Sequence, residues 1–517
     1  MPRTSREIRW VEQDSTYEVV TSTLSIADPI YKCFFFTTSD LTRQGTLDNG
    51  RAASRVDEGP ESLRHLCPFL IAADIGNGRR KKCDETHPNI VTERKSPRSP
   101  GASPSSSSGG TSSIYLPWSV ASVPKAPSPL DIWTLTNTQE PQTNQRFLLK
   151  FYTNVSSRLV STTEDYNPFH SVFLPMAVES PALMSALFAW TSAHLSCFEK
   201  SHQLLALQYQ SSAISSLASS LKSSPPTSLD TTLAACLVLC ATEALNGDTQ
   251  SWYDHLKGAR DIILSARLPG PHGTALEGSE CFMRSTDGEW LLRNFAYHDV
   301  LASVTLNQPP LIRGAYWLRD SGPVFDSYMG VGEGLLALLS RISCLQEEDR
   351  VVSDLEFYSQ AASLEFELDQ WTSPLCSTEA VIALAEAYRG AALLHLHRQY
   401  RYRFPADAGA VEAKIQTQVQ NILNHLDRIP LESLSECGIL LPLFLAGGEA
   451  LEETQRTKIS SRLRYLAEHR GFQNIERSID ILEELWRMRR LGQSGRDRQR
   501  ADWRDVLLNK NWKVMLS

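Results

Sequence analysis

Any chemistry in this chain must come from a few clusters of residues. Residues 78–89, GRRKKCDETHPN, set four consecutive cations, Arg79, Arg80, Lys81 and Lys82, directly before Cys83, with Asp84, Glu85 and Pro88 behind it. The stretch has the look of half a motif, against the plainer reading of a basic, turn-rich surface segment that meets a lone cysteine by chance. Cys236 and Cys240 lie four residues apart, so on a helix their sulfurs could share one metal or one cavity. They fall in a stripe with Leu229 and Leu233, where a thiol behaves as a small hydrophobe, and core packing is the expectation. His194 sits on the apolar face of its helix and reads as a hydrogen-bonded core or rim histidine. His255 is a general base in principle, but Asp254 is adjacent and on another face, which points to a surface or capping role. Residues 487–500, RMRRLGQSGRDRQR, read as a solvated helix end, where cations are favourable, or more sharply as a nuclear-import or phosphate-contacting segment.

Linear catalytic motifs are absent. The sequence holds no GxSxG elbow, no GxxxxGKS/T loop, no GxGxxG turn after a strand and no HExxH pair. Its 10 cysteines are scattered, without the dense spacing of a secreted disulfide scaffold, so a reducing compartment is expected. No apolar run approaches the roughly 18 residues of a membrane span, and the N-terminus lacks a signal-peptide core, so the chain reads as soluble and intracellular. A net charge of −8 gives the whole molecule no drive toward nucleic acid, and any such contact must come from a local basic patch.

Residues 1–75 show short β-prone stretches such as YKCFFFTT without sustained periodicity, and no fold is assigned to them. Residues 96–144 are rich in Ser, Pro and Gly, which cannot bury enough apolar surface to offset chain entropy, so they read as a linker. From 145 to 517 the pattern is helical. Ser180 and Pro181 make an N-cap and first-turn pair, and Leu183, Leu187, Trp190, His194 and Cys197 come next at helical spacing. The prolines at 225 and 226 with Thr227 and Ser228 end one segment and cap the next, which Asn246 and Gly247 terminate. Trp252, Leu256, Ala259 and Ile263 line one side of the helix after that. Further helical segments include TEAVIALAEAYRGAALLHLHRQYR and SIDILEELWRMRR. Strand signals are nearly absent after residue 145, and residues 268–288 read as a loop-like insertion or mobile connection. The fold class is all-α: one large multi-helix domain behind an irregular, partly disordered N-terminal region.

GRRKKCDETHPN resembles the middle of the binuclear zinc cluster of fungal transcription regulators, in which six cysteines hold two zinc ions and a short basic helix reads the major groove. Cys83 matches the third cysteine of that family, and Asp84, Glu85 and Pro88 match the residues on its C-terminal side. The remaining cysteines should stand at Ala73, Gly76, near Ile90 and near Glu93, where none is found. Tetrahedral zinc needs four ligands per ion, so one cysteine cannot hold the cluster. The rest of the chain resembles the fungal-specific transcription factor domain over 145–517. That resemblance rests on SPALMSALFAWTSAHLS, SWYDHLKGARDIIL, FAYHDVLASVT, VFDSYMGVGEGLLALLSRIS and the terminal DWRDVLLNKNWKVML, in that order.

The resemblance implies a non-enzymatic nuclear regulator of transcription, controlling genes of a metabolic pathway, secondary metabolism included, through sequence-specific binding to double-stranded DNA. It implies DNA contacts from Arg79, Arg80, Lys81 and Lys82, zinc as the family's metal with Cys83 as the recognisable ligand, and a zinc-cluster remnant over 76–95. Homodimerisation or transcription-machinery partners are expected of the helical domain, and a membrane is not. The missing cysteines fit either a broken reading frame around the module or a loss of metal-dependent binding. Two other readings stay open: a helical interaction protein that regulates without touching DNA itself, and a helical enzyme whose site carries no linear motif.

Overall fold

Ser180 and Pro181 start a helix as their types dictate: the Ser180 hydroxyl accepts from Leu183 N at 3.3 Å, and Pro181 occupies the first turn, where its missing N–H costs nothing. The computed structural model describes residues 141–160, 167–222, 228–270, 274–318, 327–330, 332–345, 353–373, 378–491 and 501–517. The readings of 1–75 and 76–95, of the linker to residue 140, of residues 225–227 and of 492–500 lie outside the described residues.

The described residues are helical nearly throughout, as the all-α class requires. In the first half, α1 (Pro141–Ser156), α2 (Pro168–Ser171) and α3 (Phe173–Glu179) lead into α4 (Pro181–Phe198), α5 (Gln203–Lys222), α6 (Leu229–Leu245) and α7 (Ser251–Ser265). α4 packs on α5 and α6, and α6 packs on α7 and on α8 (Thr286–Leu306). The spacing predicts an amphipathic α6, but the helix is buried at every residue from Thr231 to Cys240. The reason is composition: ringed by α4, α5, α7 and α8, the run LAACLVLCA has no polar face to present to water. Asn246 ends the helix and Gly247 takes the left-handed conformation with φ +69°, as the Asn-Gly pair predicts. Ser228 departs from its predicted capping role. Its side chain makes no cap bond; instead its carbonyl accepts from the Thr231 and Thr232 hydroxyls at 3.0 Å each.

The loop-like reading of 268–288 is corrected by the structure. β1 (Arg267–Pro269) and β2 (Ala275–Glu277) form an antiparallel hairpin, followed by a single 3₁₀ turn over Gly278–Cys281. Three-residue strands are too short to show a period of two in sequence. The hairpin is held by Gly270 N donating to Thr274 O at 2.7 Å, by the Arg267–Glu277 ion pair at 3.2 Å, and by the Cys281 thiol donating to Leu276 O at 3.2 Å.

The second half comprises α9 (Glu333–Ser343), α10 (Asp354–Gln370), α11 (Glu379–Arg403), α12 (Ala408–Leu426), α13 (Leu440–Glu449), α14 (Glu453–Arg470), α15 (Gln473–Leu491) and α16 (Trp503–Lys510). α11 is its axis, touching α9, α10, α12 and α13, while α15 packs against α13, α14, α16 and, in the first half, α6. α13 is buried at all of its residues and carries adjacent glycines for a steric reason. A Cβ at Gly447 would lie 2.7 Å from Leu482, and one at Gly448 would lie 2.5 Å from the Trp503 ring.

Candidate functional site

A cavity of about 150 Å³ opens where the two halves of the helical domain meet. α1 contributes Tyr152, α4 Leu187 and Trp190, α6 Leu237, Val238 and Ala241, α8 Asn294, Tyr297 and His298, and α15 Asn474 and Ile475. Tyr328, Phe472 and Ser517 complete this part of the wall. Aromatic rings give it shape. Tyr297 and Tyr328 stack with centroids 4.3 Å apart and planes 13° apart, while Phe169 meets Tyr328 edge-on at 5.9 Å. Behind Trp190 the His194 ring stacks at 5.6 Å, also touching Phe472 at 5.3 Å.

The polar groups of the wall divide into satisfied and unsatisfied ones. Tyr297 and Tyr388 share a hydroxyl contact at 3.2 Å, the Tyr152 hydroxyl donates to Phe169 O at 3.1 Å, and His298 Nδ1 meets Ser517 Oγ at 2.7 Å. Glu436 lies between Arg462 at 3.0 Å and Arg470 at 2.9 Å, so the charges at this wall pair with each other, while Glu436 Oε1 makes no hydrogen bond among the described residues. Burial holds the His298 ring neutral by lowering its pKa to about 3, and pushes the Cys437 thiol up to about 11. By contrast, Asn294 donates through Nδ2 to Tyr328 Oη at 2.6 Å, and Asn474 donates to Met515 O at 3.1 Å and Ser517 O at 3.2 Å, but the side-chain oxygen of each asparagine has no hydrogen-bond partner among the described residues. These two acceptors are only 3% and 5% exposed as residues, so leaving them unmatched carries a desolvation cost.

A second buried polar assembly, around Arg398, is closed on itself. Its guanidinium donates to Glu449, to Asp502 at 2.8 Å and to the Tyr402 hydroxyl at 3.0 Å, and stacks over the Trp503 ring at 3.5 Å. Arg401 bonds both oxygens of Glu449, at 2.9 and 2.8 Å, and reaches Glu412 at 3.1 Å. Burial works against these charges, yet Asp502 and Glu449 outweigh it and hold Arg398 above its usual range, while Arg398 and Arg504 hold the Asp502 carboxyl far below the usual one. Asp502 also caps α16, accepting from Arg504 N at 3.0 Å.

The residues singled out in the sequence do not converge on either place. Arg79, Arg80, Lys81, Lys82 and Cys83 lie outside the described residues. Cys236 and Cys240 are packed inside α6, and their thiols donate to His255 O at 3.1 Å and Trp252 O at 3.2 Å, as the packing expectation has it. Among the described residues no group of three or more His, Cys, Asp or Glu is placed to hold a metal ion. His194 is the expected core histidine, its Nε2 sharing a bond with Arg470 O at 2.8 Å. His255 corrects its reading as a surface or capping residue. It is buried on the inner side of α7, with Nε2 3.8 Å from Glu243, because Trp252, His255, Leu256 and Ala259 together form the face pressed onto α6. In the basic stretch after 487, Arg489 is buried and donates to Ala501 O at 3.1 Å, which makes that residue part of the fold.

Asn294, Tyr297 and His298 could have been found in the sequence, since they stand at i, i+3 and i+4 in LLRNFAYHDV and so share a face of α8. Asn474 and Tyr328 had no such signal, because their partners are distant in the chain.

The fungal specific transcription factor domain matches residues 147–517. Transcriptional activator protein UGA3 of Saccharomyces cerevisiae is 24% identical over 271 residues, which cover 42% of this chain and 51% of the relative. A transcriptional regulatory protein of Schizosaccharomyces pombe, itself uncharacterised, is 22% identical over 302 residues, covering 54% of this chain and 53% of the relative. The chain thus spans about half the length of the curated relatives it matches. No solved structure gives a significant match. With most of its length matched, helix after helix, this chain belongs to the fungal specific transcription factor domain family.

Proposed function

We propose that the protein is a nuclear, non-enzymatic regulator of transcription that binds double-stranded DNA and controls genes of a metabolic pathway, with the helical domain as its regulatory and dimerisation or partner-binding part. The family match over 147–517 carries this reading, and two relatives named for transcriptional roles support it. Among the described residues no helix is long and apolar enough to cross a membrane. DNA contact falls to Arg79, Arg80, Lys81 and Lys82, a local basic patch in a chain whose net charge is −8. The donor set around Cys83 does not fit two zinc ions, since Ala73, Gly76, Ile90 and Glu93 stand where thiolates are needed.

The purified full chain is to be tested against duplexes selected from a random library, with the affinity followed as salt is raised. Each phosphate contact adds about −0.9 to the slope of log K against log salt, so four cations give a slope approaching about −4. Replacing Arg79, Arg80, Lys81 and Lys82 by alanine should flatten it. Binding unchanged by that replacement, no binding at all, or exclusion of a tagged chain from the nucleus would overturn the proposal. Metal analysis after chelation and repurification should find less than one zinc per chain, and two tightly held ions would contradict the incomplete donor set.

A further inference from the structure

We infer that the cavity between the two halves of the helical domain is a binding site for a small, uncharged aromatic molecule carrying a hydroxyl or N–H donor, of the phenol or indole class. Three observations converge on it. First, size: a cavity of about 150 Å³ matches the volume at which an apolar protein cavity takes up benzene. Second, shape and polarity: Trp190, Phe472, Tyr297 and Tyr328 offer ring faces and edges, with Tyr152, Phe169 and Phe173 beside them, and aliphatic side chains form much of the remaining wall. Third, unmet acceptors: Asn294 and Asn474 both line the cavity and both carry a buried side-chain oxygen with no partner among the described residues. Each asparagine is oriented by a bond from its own Nδ2, to Tyr328 Oη and to Met515 O and Ser517 O, so the amide oxygen is the end left for a donor.

The same wall argues against an ion. Glu436 and Arg470 pair at 2.9 Å, and the His298 imidazole is neutral, so a charged ligand would enter with no unengaged counter-charge. A purely apolar ligand fits the volume but leaves both acceptors unmatched. A donor-bearing aromatic fits the volume and the rings and gives one of the two acceptors a donor. Bound there, it would touch α4, α6 and α8 on one side and α15 on the other. Under the transcription reading this makes it the signal that the domain answers to, although the binding itself stands without that reading.

The test is isothermal titration calorimetry on the full chain with phenol, indole, benzene and benzoate, in the absence of DNA. Phenol or indole should bind with Kd below about 1 mM, benzene at least about tenfold more weakly, and benzoate not measurably. Asn294→Leu should cost about tenfold in phenol or indole affinity while leaving benzene unchanged. Ala241→Phe, which projects a ring into the cavity, should abolish binding of all probes. Circular dichroism and melting temperature of each variant confirm the fold, and the four-probe ranking on the unaltered chain decides the matter even if a variant fails to fold. Failure of every probe to bind, benzene or benzoate binding as tightly as phenol, or binding that survives Ala241→Phe in a folded variant would each overturn the proposal. Because no DNA is present, none of these outcomes bears on DNA recognition, and loss of DNA binding leaves this site intact.

Discussion

The Arg398 cluster and the cavity at the junction of the two halves are both buried and both polar, yet they are built on opposite terms. Around Arg398 two carboxylates, a phenol and an indole face complete a guanidinium's bonding, and no buried side-chain atom of Arg398, Arg401, Glu449 or Asp502 is left without a partner. At the cavity two amide oxygens remain unmatched beside about 150 Å³ of space. Buried polarity that is complete holds helices in register, here α11, α13 and α16, whereas buried polarity that is incomplete and next to a void is arranged for something that arrives.

The largest effect that would break this contrast comes from the complete cluster. Arg398→Leu strands Glu449 and Asp502 with fewer cations, and should lower the unfolding free energy by about 3–5 kcal/mol in a urea titration at pH 7. A loss below about 1 kcal/mol would mean that the cluster is not what joins α11, α13 and α16.

The next effect is read by pH. Burial lowers the pKa of His194 to about 4 and of His298 to about 3, from an ordinary value near 6.5. The unfolded chain therefore takes up protons before the folded one does, so stability is fully present above pH 6.5 and declines as pH falls toward 4. Asp502 and Glu449, both held below the usual carboxylate range, stay ionised across that window, while His395, which burial and the nearby Arg398 and Arg504 lower to about 3, adds to the same decline. Replacing His194 by Gln should remove about 2–3 kcal/mol of this decline, read from urea midpoints between pH 7.5 and 4.5. An identical pH profile in the variant would sink the assignment.

The smallest effect is the sharpest comparison of packing. Gly448→Ala, whose Cβ would lie 2.5 Å from Trp503, should destabilise by about 1–3 kcal/mol. Ala241→Leu, directed into the cavity, should instead be neutral or stabilise by about 0.5–1 kcal/mol. Thermal melts of the two single variants measure both signs. Equal destabilisation would mean that the cavity is not available volume.

Local chemistry was legible wherever a feature depends on its own neighbours. Ser180 with Pro181 and Asn246 with Gly247 mark helix ends by rules that act within a turn or two, and they do so in the structure. The stripe of Trp252, Leu256, Ala259 and Ile263 is buried as its spacing requires. Readings failed where a neighbour distant in the chain decided the outcome. His255 looked superficial because its sequence neighbours are charged, but α6 covers it. The hairpin at 267–277 escaped because its three-residue strands are held by a short ladder, one ion pair and the Cys281 thiol, none of which leaves a periodic signal.

By itself the sequence determined that most of this chain is helical, where many of those helices begin and end, and, through the order of its helical segments, which family it belongs to. Periodicity and capping report on one helix at a time, and those conclusions need no more. Tertiary structure alone decided that residues 398, 449 and 502 close a charge cluster, and that 294, 328 and 474 border a cavity with two unmatched acceptors. Such sites are made by elements tens to hundreds of residues apart, and a helix's own pattern tells which face is buried but not what it is buried against.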